Sequence, residues 1–193
     1  TTIGAGRALD TELVRIGKAI DTGEYERNSA FTTLFEHVLK NNSTLHVQGL
    51  IGDGGVHAHS DHLFAFLRAA KKAGIKKVAI HVFTDGRDTA PQSAGQYLKE
   101  LEEVLKEVDI AFIATVSGRF YAMDRDNNWD RLERVEKALF ECHGNVCAIK
   151  PSEFIEGLYK DGKLDEHLEP MVCNTPDGKG CKIENGDGIF FFN

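Results

Sequence analysis

The sequence predicts a three-layer α/β/α sandwich with a mainly parallel sheet. Three observations carry that expectation. A strand–loop–helix pattern recurs three times, the strands are rich in apolar and β-branched residues of the kind buried on both faces, and the helices repeat apolar residues at helical spacing. Leu13, Ile16 and Ile20 behind Asp10 mark a first helix, and Phe31, Leu34, Phe35, Val38 and Leu39 behind the cap Asn28 mark a second. A strand over 44–50 alternates in polarity, a turn follows at Gly52-Asp53-Gly54-Gly55, and Ser60 caps a helix through Leu63, Phe66, Leu67 and Ala70 that stops at Gly74. The second unit is a strand over 77–84, the turn Asp85-Gly86-Arg87-Asp88 and a helix over 92–108. The third is a nearly all-apolar strand over 110–116, a long polar loop over 117–128 and a helix over 129–142. Beyond Gly144 the pattern thins to a helix over 152–160 behind Pro151, a hairpin turn at 177–180 and a final buried strand over 188–192. Strands alternating with helices imply right-handed crossovers, and no internal repeat or low-complexity linker divides the chain, so one domain over 1–193 is expected.

The 193 residues carry 23 Lys+Arg against 30 Asp+Glu, a formal net charge of −7. Non-specific binding to nucleic acid or to an anionic membrane calls for the opposite balance, so neither partner is expected, and any anion must be met by local positive charge. No apolar run approaches the roughly 20 residues of a bilayer-spanning helix, and Thr1-Thr2-Ile3-Gly4 has neither the basic start nor the apolar core of a signal peptide. A cytoplasmic monomer is the expectation. Cys142, Cys147, Cys173 and Cys181 form no C-x-x-C pair, which argues against zinc-finger and thioredoxin-like readings and for reduced thiols. The chain begins without Met and stops in the apolar run Phe190-Phe191-Phe192-Asn193, as a piece of a longer protein would.

In an open parallel sheet the ligand site lies beyond the carboxyl ends of the strands. Three loops meet there. The first carries Asp53, Gly54, Gly55, His57, His59, Asp61 and His62; the second Asp85, Arg87, Asp88 and Thr89; the third Ser117, Arg119, Tyr121, Asp124, Arg125 and Asp126. Arg87, Arg119, Arg125 and a histidine around one crevice suit a small phosphate or carboxylate, because the guanidinium fork meets such oxygens in paired charge-assisted hydrogen bonds. Singly, each feature has a plainer reading: a polar turn at 85–88, an ion-paired loop at 124–126, and packed core histidines at His46 and His81. Convergence of the loops is what favours a site. His57-Ala58-His59-Ser60-Asp61-His62 also has the H-x-H-x-D-H spacing of dinuclear zinc hydrolases, but His81, His143 and His167 stand in no recognisable ligand loop and helical patterns precede the motif.

Read together, Gly54-Gly55-Val56-His57-Ala58-His59, Asp85-Gly86-Arg87-Asp88-Thr89 and the run from Ser117 to Asp126, SGRFYAMDRD, resemble the cofactor-independent (2,3-bisphosphoglycerate-independent) phosphoglycerate mutases. The opening Ile3-Gly4-Ala5-Gly6-Arg7 and the closing segment from Gly186 to Asn193 resemble the stretches leading into and out of that family's phosphotransferase domain. The resemblance implies that this chain is the substrate-binding domain alone. A phosphatase-like domain with two Mn2+ ions, or a similar divalent metal, and a serine nucleophile would lie outside it, leaving no metal ligand in this chain. It further implies an isomerase of glycolysis and gluconeogenesis that interconverts 3-phosphoglycerate and 2-phosphoglycerate through a phosphoserine, and a fragment inactive by itself. By the match of motifs, His57 meets the phosphate or phosphoserine, Arg87, Arg119 and Arg125 grip the phosphoglycerate, and Asp88 moves protons between its two hydroxyls, so His57 and Asp88 are the catalytic pair. Ala58 and Ala90 replace the family's usual Ser and Pro. Two rivals stand beside this reading: a dinuclear zinc hydrolase using His57, His59, Asp61 and His62, and a stand-alone phosphometabolite-binding module.

Overall fold

The computed structural model describes residues 4, 6, 9–173 and 182–192. The expected turn at 177–180 and Cys181 lie outside the described residues, as do most of the opening segment and Asn193. Two helices come first, α1 (Glu12–Asp21) and α2 (Ser29–Asn41). Thr11 caps α1 through its side chain, and Asn28 caps α2 by accepting from the Ala30 amide at 2.9 Å. The three repeats follow as β1 (Leu45–Ile51) with α3 (Ser60–Lys72), β2 (Val78–Thr84) with α4 (Ala94–Val108), and β3 (Ala111–Gly118) with the one-turn helix α5 (Arg119–Ala122) and α6 (Trp129–Glu141). The chain then runs through β4 (Asn145–Cys147), α7 (Pro151–Lys160), a 3-10 turn at Asp165–His167, β5 (Met171–Cys173) and β6 (Gly188–Phe191).

The six strands order as β4-β5-β3-β2-β1-β6, and β3–β5 is the antiparallel pair in an otherwise parallel ladder. This is the mainly parallel three-layer sandwich expected. One face packs the main core, where Phe31 and Phe35 of α2, Leu63, Phe66 and Leu67 of α3, and Leu98 and Leu101 of α4 meet Leu45, Val47, Ile80 and Val82. The other carries a small cluster of Ala79 and Ala114 with Phe112, Cys142 and Val172. Among the described residues no helix is long and apolar enough to cross a membrane.

Four expectations need correction. β1 is buried along both faces rather than alternating, because β2 and β6 flank it and helices cover it. Ser60 is not the cap of α3; His59 is, and the Ser60 hydroxyl turns back to accept from the Gly52 amide (2.9 Å) and donate to the Gly52 carbonyl (3.1 Å). The stretch over 117–128 is not all loop, since β3 runs to Gly118 and α5 follows. β6 is an edge strand, and Ile189 and Phe191 are exposed rather than buried.

The smaller face buries a polar chain. The register between β2 and β3 slips after Ile80↔Ile113, so that Thr115 rather than Ala114 stands opposite His81. His81 Nδ1 then lies 2.9 Å from Thr115 Oγ1, its Nε2 lies 2.9 Å from His46 Nδ1, and His46 Nε2 lies 3.1 Å from Asp187. One proton per group satisfies the whole chain if both imidazoles are neutral: Thr115 donates to His81, His81 to His46 and His46 to Asp187. Burial, reinforced by His46, holds the His81 pKa down to about 3, and burial lowers that of His46 against the pull of Asp187.

These buried contacts set two expectations for stability. Unfolded histidine titrates near 6.5, so the contribution of neutral His81 is complete above that pH and is lost as pH falls toward about 3. Urea unfolding at pH 5 against pH 7.5 should show a loss of about 2 kcal/mol from this group, and His81→Asn should flatten that pH dependence. An equal slope in the variant would assign it to other groups. Asp165, fully buried, accepts from the Ser93 and Ala94 amides at 2.8 Å each and from Tyr159 at 2.6 Å, supplying from a distant segment the N-terminal cap that Ser93 leaves unmade on α4. Asp165→Ala should cost about 2–4 kcal/mol in the same assay.

Candidate anion site at the carboxyl edge of the sheet

β1, β2 and β3 are parallel neighbours, so the loops that leave their carboxyl ends emerge side by side. Two glycines let them close on one another. A Cβ at Gly54 would stand 2.8 Å from the Asp88 carbonyl, and one at Gly118 would stand 2.7 Å from the Leu168 amide. Any side chain at 54 would push the first loop off the second, and any at 118 would expel the strap over 166–168 that crosses the end of β3.

Asp85 organises the second loop. It is buried, and its Oδ1 accepts from the amides of Arg87 and Asp88 at 3.0 Å each, which folds residues 85–88 into a tight turn. The same oxygen accepts from Arg119 Nη1 at 2.6 Å, and that Nη1 lies 2.6 Å from Asp88 Oδ2 as well. Arg119, the first residue of α5, therefore clamps the third loop to the second through two carboxylates. Its hydrogen bond holds the Asp88 carboxyl below the usual carboxylate range, with Arg119, His57 and Arg87 adding positive charge against a partial burial penalty. Burial opposes the charge of Arg119, and the hydrogen bonds to Asp88 and Asp85 more than offset it, so its pKa is raised.

His57 Nε2 lies 3.8 Å from Asp88 Oδ2, at the mouth of the crevice. Arg87 is exposed and reaches Glu166 at 3.4 Å. Arg125 is exposed and makes no hydrogen bond or ion pair with the described residues. Asp124 holds the third loop by accepting from the Asp126 and Asn128 amides, the Asn128 side chain and Arg131, and Arg131 lies over the Phe120 ring at 3.8 Å. Asn128 sits at the head of α6, yet its side chain serves Asp124 rather than the helix. The result is a cleft of about 240 Å3 lined by His57, Arg87, Arg119, Arg125, Arg131 and Glu166 among others. Four guanidiniums around a volume of that size can meet a phosphate and a carboxylate at once, and a carboxylate and an imidazole stand beside them for proton transfer.

Four of the five predicted site residues thus line one cleft, and the fifth, Asp88, contacts two of them, Arg119 and His57. Sequence reasoning missed Arg131 and Glu166, and it did not foresee that Asp85 is the anchor. Arg131 reads as an ordinary helix residue, and Glu166 arrives on a strap whose only sequence signal is the glycine at 118 that admits it. The HAHSDH side chains, by contrast, diverge. His57 faces Asp88, His59 accepts the Asp61 amide as a helix cap, and His62 is buried within α3. Among the described residues no group of three or more His, Cys, Asp or Glu is disposed to hold a metal ion. His46 and His81 are core histidines, as their place within strands predicts.

Fold and crevice together define a mainly parallel α/β domain with an arginine-lined cleft at the carboxyl edge of its sheet. Comparison with known proteins narrows the class. The family model described as BPG-independent PGAM N-terminus (iPGM_N) matches residues 16–193. The 2,3-bisphosphoglycerate-independent phosphoglycerate mutase of Listeria innocua is 46% identical over all of this chain, and that of Clostridium kluyveri is 44% identical over 99% of it. Among solved structures, Leishmania mexicana phosphoglycerate mutase at low cobalt concentration superposes with a TM-score of 0.84 at 30% identity, covering 92% of this chain and 34% of that one. The chain belongs to the BPG-independent phosphoglycerate mutase N-terminal family. It spans 38% of the length of the Listeria relative and 37% of the Clostridium one.

The clamp makes a prediction independent of any ligand. Arg119→Ala should raise the Asp88 carboxyl pKa toward the ordinary value near 3.9, read by NMR titration of its side-chain carbon. An unshifted Asp88 would show that Arg119 does not hold it ionised.

Proposed function

We propose that this chain is the substrate-gripping domain of a phosphoglycerate mutase that interconverts 3-phosphoglycerate and 2-phosphoglycerate. The observation that carries the reading is the Arg119 clamp on Asp85 and Asp88, set beside the exposed Arg87 and Arg125 and within reach of His57. Arg87 and Arg125 take the incoming anion first, since both are exposed, Arg125 has no ion-pair partner among the described residues and Arg87 has only Glu166 at 3.4 Å to exchange. Arg119 then exchanges Asp88 for a ligand oxygen while Asp85 keeps its position. Losing that hydrogen bond restores the proton affinity of Asp88, which takes a proton from one glycerate hydroxyl and returns it to the other as general base and then general acid. His57 contacts the phosphoryl group at the open side. Transfer of a phosphoryl group depends mostly on positioning and charge stabilisation, which is what four guanidiniums around a small cleft supply.

In this reading the phosphoserine is carried by a second, phosphatase-like domain in the remaining length of the protein, and the retained glycerate presents its other hydroxyl to the same serine. We assign the two Mn2+ ions, or a similar divalent metal, to that second domain, and no step here is routed through them. The chain by itself should bind phosphoglycerate without converting it. The isomerisation belongs to glycolysis and gluconeogenesis, and the cytoplasm is its expected location.

Titration of this chain with 3-phosphoglycerate, followed by NMR with inorganic phosphate as control, should shift resonances at His57, Arg87-Asp88 and Arg119–Arg125. Arg125→Ala should weaken binding about 10- to 100-fold, the worth of a charge-assisted hydrogen bond, while leaving the melting temperature nearly unchanged because the side chain is exposed. Shifts confined to other surfaces, or full affinity in the variant, would refute the assignment.

A further inference from the structure

Cys147 and Cys173 are the last residues of β4 and β5, two parallel strands at the edge of the sheet, and they stand directly opposite one another in register. In-register residues of a parallel pair place their side chains on one face with Cα atoms about 4.8 Å apart, inside the roughly 4.4–6.8 Å window of a disulfide. Both thiols are buried and reduced, and they lie in hydrogen-bond contact, with the Cys147 Sγ also 3.3 Å from the Ile149 carbonyl. Cys173 lines a cleft of about 250 Å3 whose other walls include Ile149, Pro151, Glu102, Lys106 and Lys150. Neither cysteine has a part in the anion crevice.

We infer that Cys147 and Cys173 form a redox-active dithiol that a small hydroperoxide oxidises to a disulfide. The cleft beside Cys173 is large enough for hydrogen peroxide, and the contact with Cys173 lowers the pKa of the Cys147 thiol while burial and the charge of Glu102 oppose that shift. The Cys173 thiolate attacks one peroxide oxygen, the O–O bond breaks, and hydroxide leaves and is protonated to water, giving a sulfenic acid. The Cys147 thiolate, already in contact, then attacks that sulfur and displaces the second oxygen as hydroxide, which takes up the proton released by the thiol. The S–S bond forms, the two sulfurs lose two electrons, and one peroxide becomes two waters. The disulfide closes residues 148–172 into a loop, the segment that carries α7 and the Asp165–His167 turn with the cap of α4 and Glu166 of the crevice.

The full chain should be treated with graded hydrogen peroxide, the remaining thiols alkylated, and the digest mapped by mass spectrometry. The expected product joins the Cys147 and Cys173 peptides with the loss of two hydrogens and is reversed by dithiothreitol. Its melting temperature should exceed that of the reduced chain by about 5–10 °C. Cys147→Ser and Cys173→Ser should each abolish the cross-link and that rise. Separate oxidation of the two sulfurs to sulfinic or sulfonic acids, a link to Cys142 or Cys181 instead, or a melting temperature unmoved by the cross-link would overturn the inference. The mass map is made on the unsubstituted chain, so it decides between these outcomes even where a serine variant folds poorly.

Discussion

One arginine side chain shared by two carboxylates is the constraint on which the crevice depends. Arg119 Nη1 touches Asp85 and Asp88 at 2.6 Å each, and Asp85 is itself buried and holds two backbone amides. A charge withdrawn from water this far is tolerated only with partners, and removing one partner of such a pair commonly costs about 3–5 kcal/mol because the other charge is stranded. The shape of the second loop, the start of α5 and the ionised state of Asp88 therefore stand or fall together. Arg87 and Arg125 are exposed at the rim, so their loss leaves no buried charge behind.

The fold makes this clamp possible through close approach more than through any single bond. Parallel strands bring three loops to one edge, but loops with ordinary side chains at 54 and 118 could not meet there. The strap over 166–168 crosses Gly118, and the same strap begins at Asp165, whose carboxylate caps α4 and whose carbonyl accepts from Thr84 at 2.7 Å. A single turn of chain thus seals the end of β3, fixes the first turn of α4 and delivers Glu166 to Arg87. Stability and site geometry share these residues, so variants in the strap should be judged by binding and by unfolding together.

How much of this was legible in the sequence follows from the range of each interaction. The three repeats, the cap at Asn28 and the stop at Gly74 are written locally, in spacings of three and four residues, and the structure has those elements within a few positions. β4 and β5 were not legible. Each has three residues, too few for periodicity, and β5 runs antiparallel to β3 because the strap over 166–168 brings the chain to the carboxyl end of β3 just before β5 begins. Ser60 and His59 were misassigned for a similar reason: both types can cap, and the choice is made by Gly52, eight residues upstream, which claims the Ser60 hydroxyl. At the crevice the residue types were readable as loop motifs. That Asp85 anchors rather than merely turns the chain was not, because its partner Arg119 is supplied by the next repeat.

The division between rim and interior arginines bears on selectivity. Under the proposed function, a bare phosphate satisfies Arg87 and Arg125 without disturbing anything buried. Drawing Arg119 from Asp88 leaves that carboxylate short of a donor, a cost recovered only if the ligand itself brings a hydroxyl to within hydrogen-bond reach. A phosphorylated hydroxy acid carries such a hydroxyl beside its charged groups, whereas inorganic phosphate does not extend far enough to offer one. The ligand that opens the clamp is then the ligand whose proton the freed Asp88 can take, so recognition and base activation are one event. An acidic chain can work this way because Asp85 and Asp88 keep the charge of Arg119 neutralised until an anion with the right second group arrives.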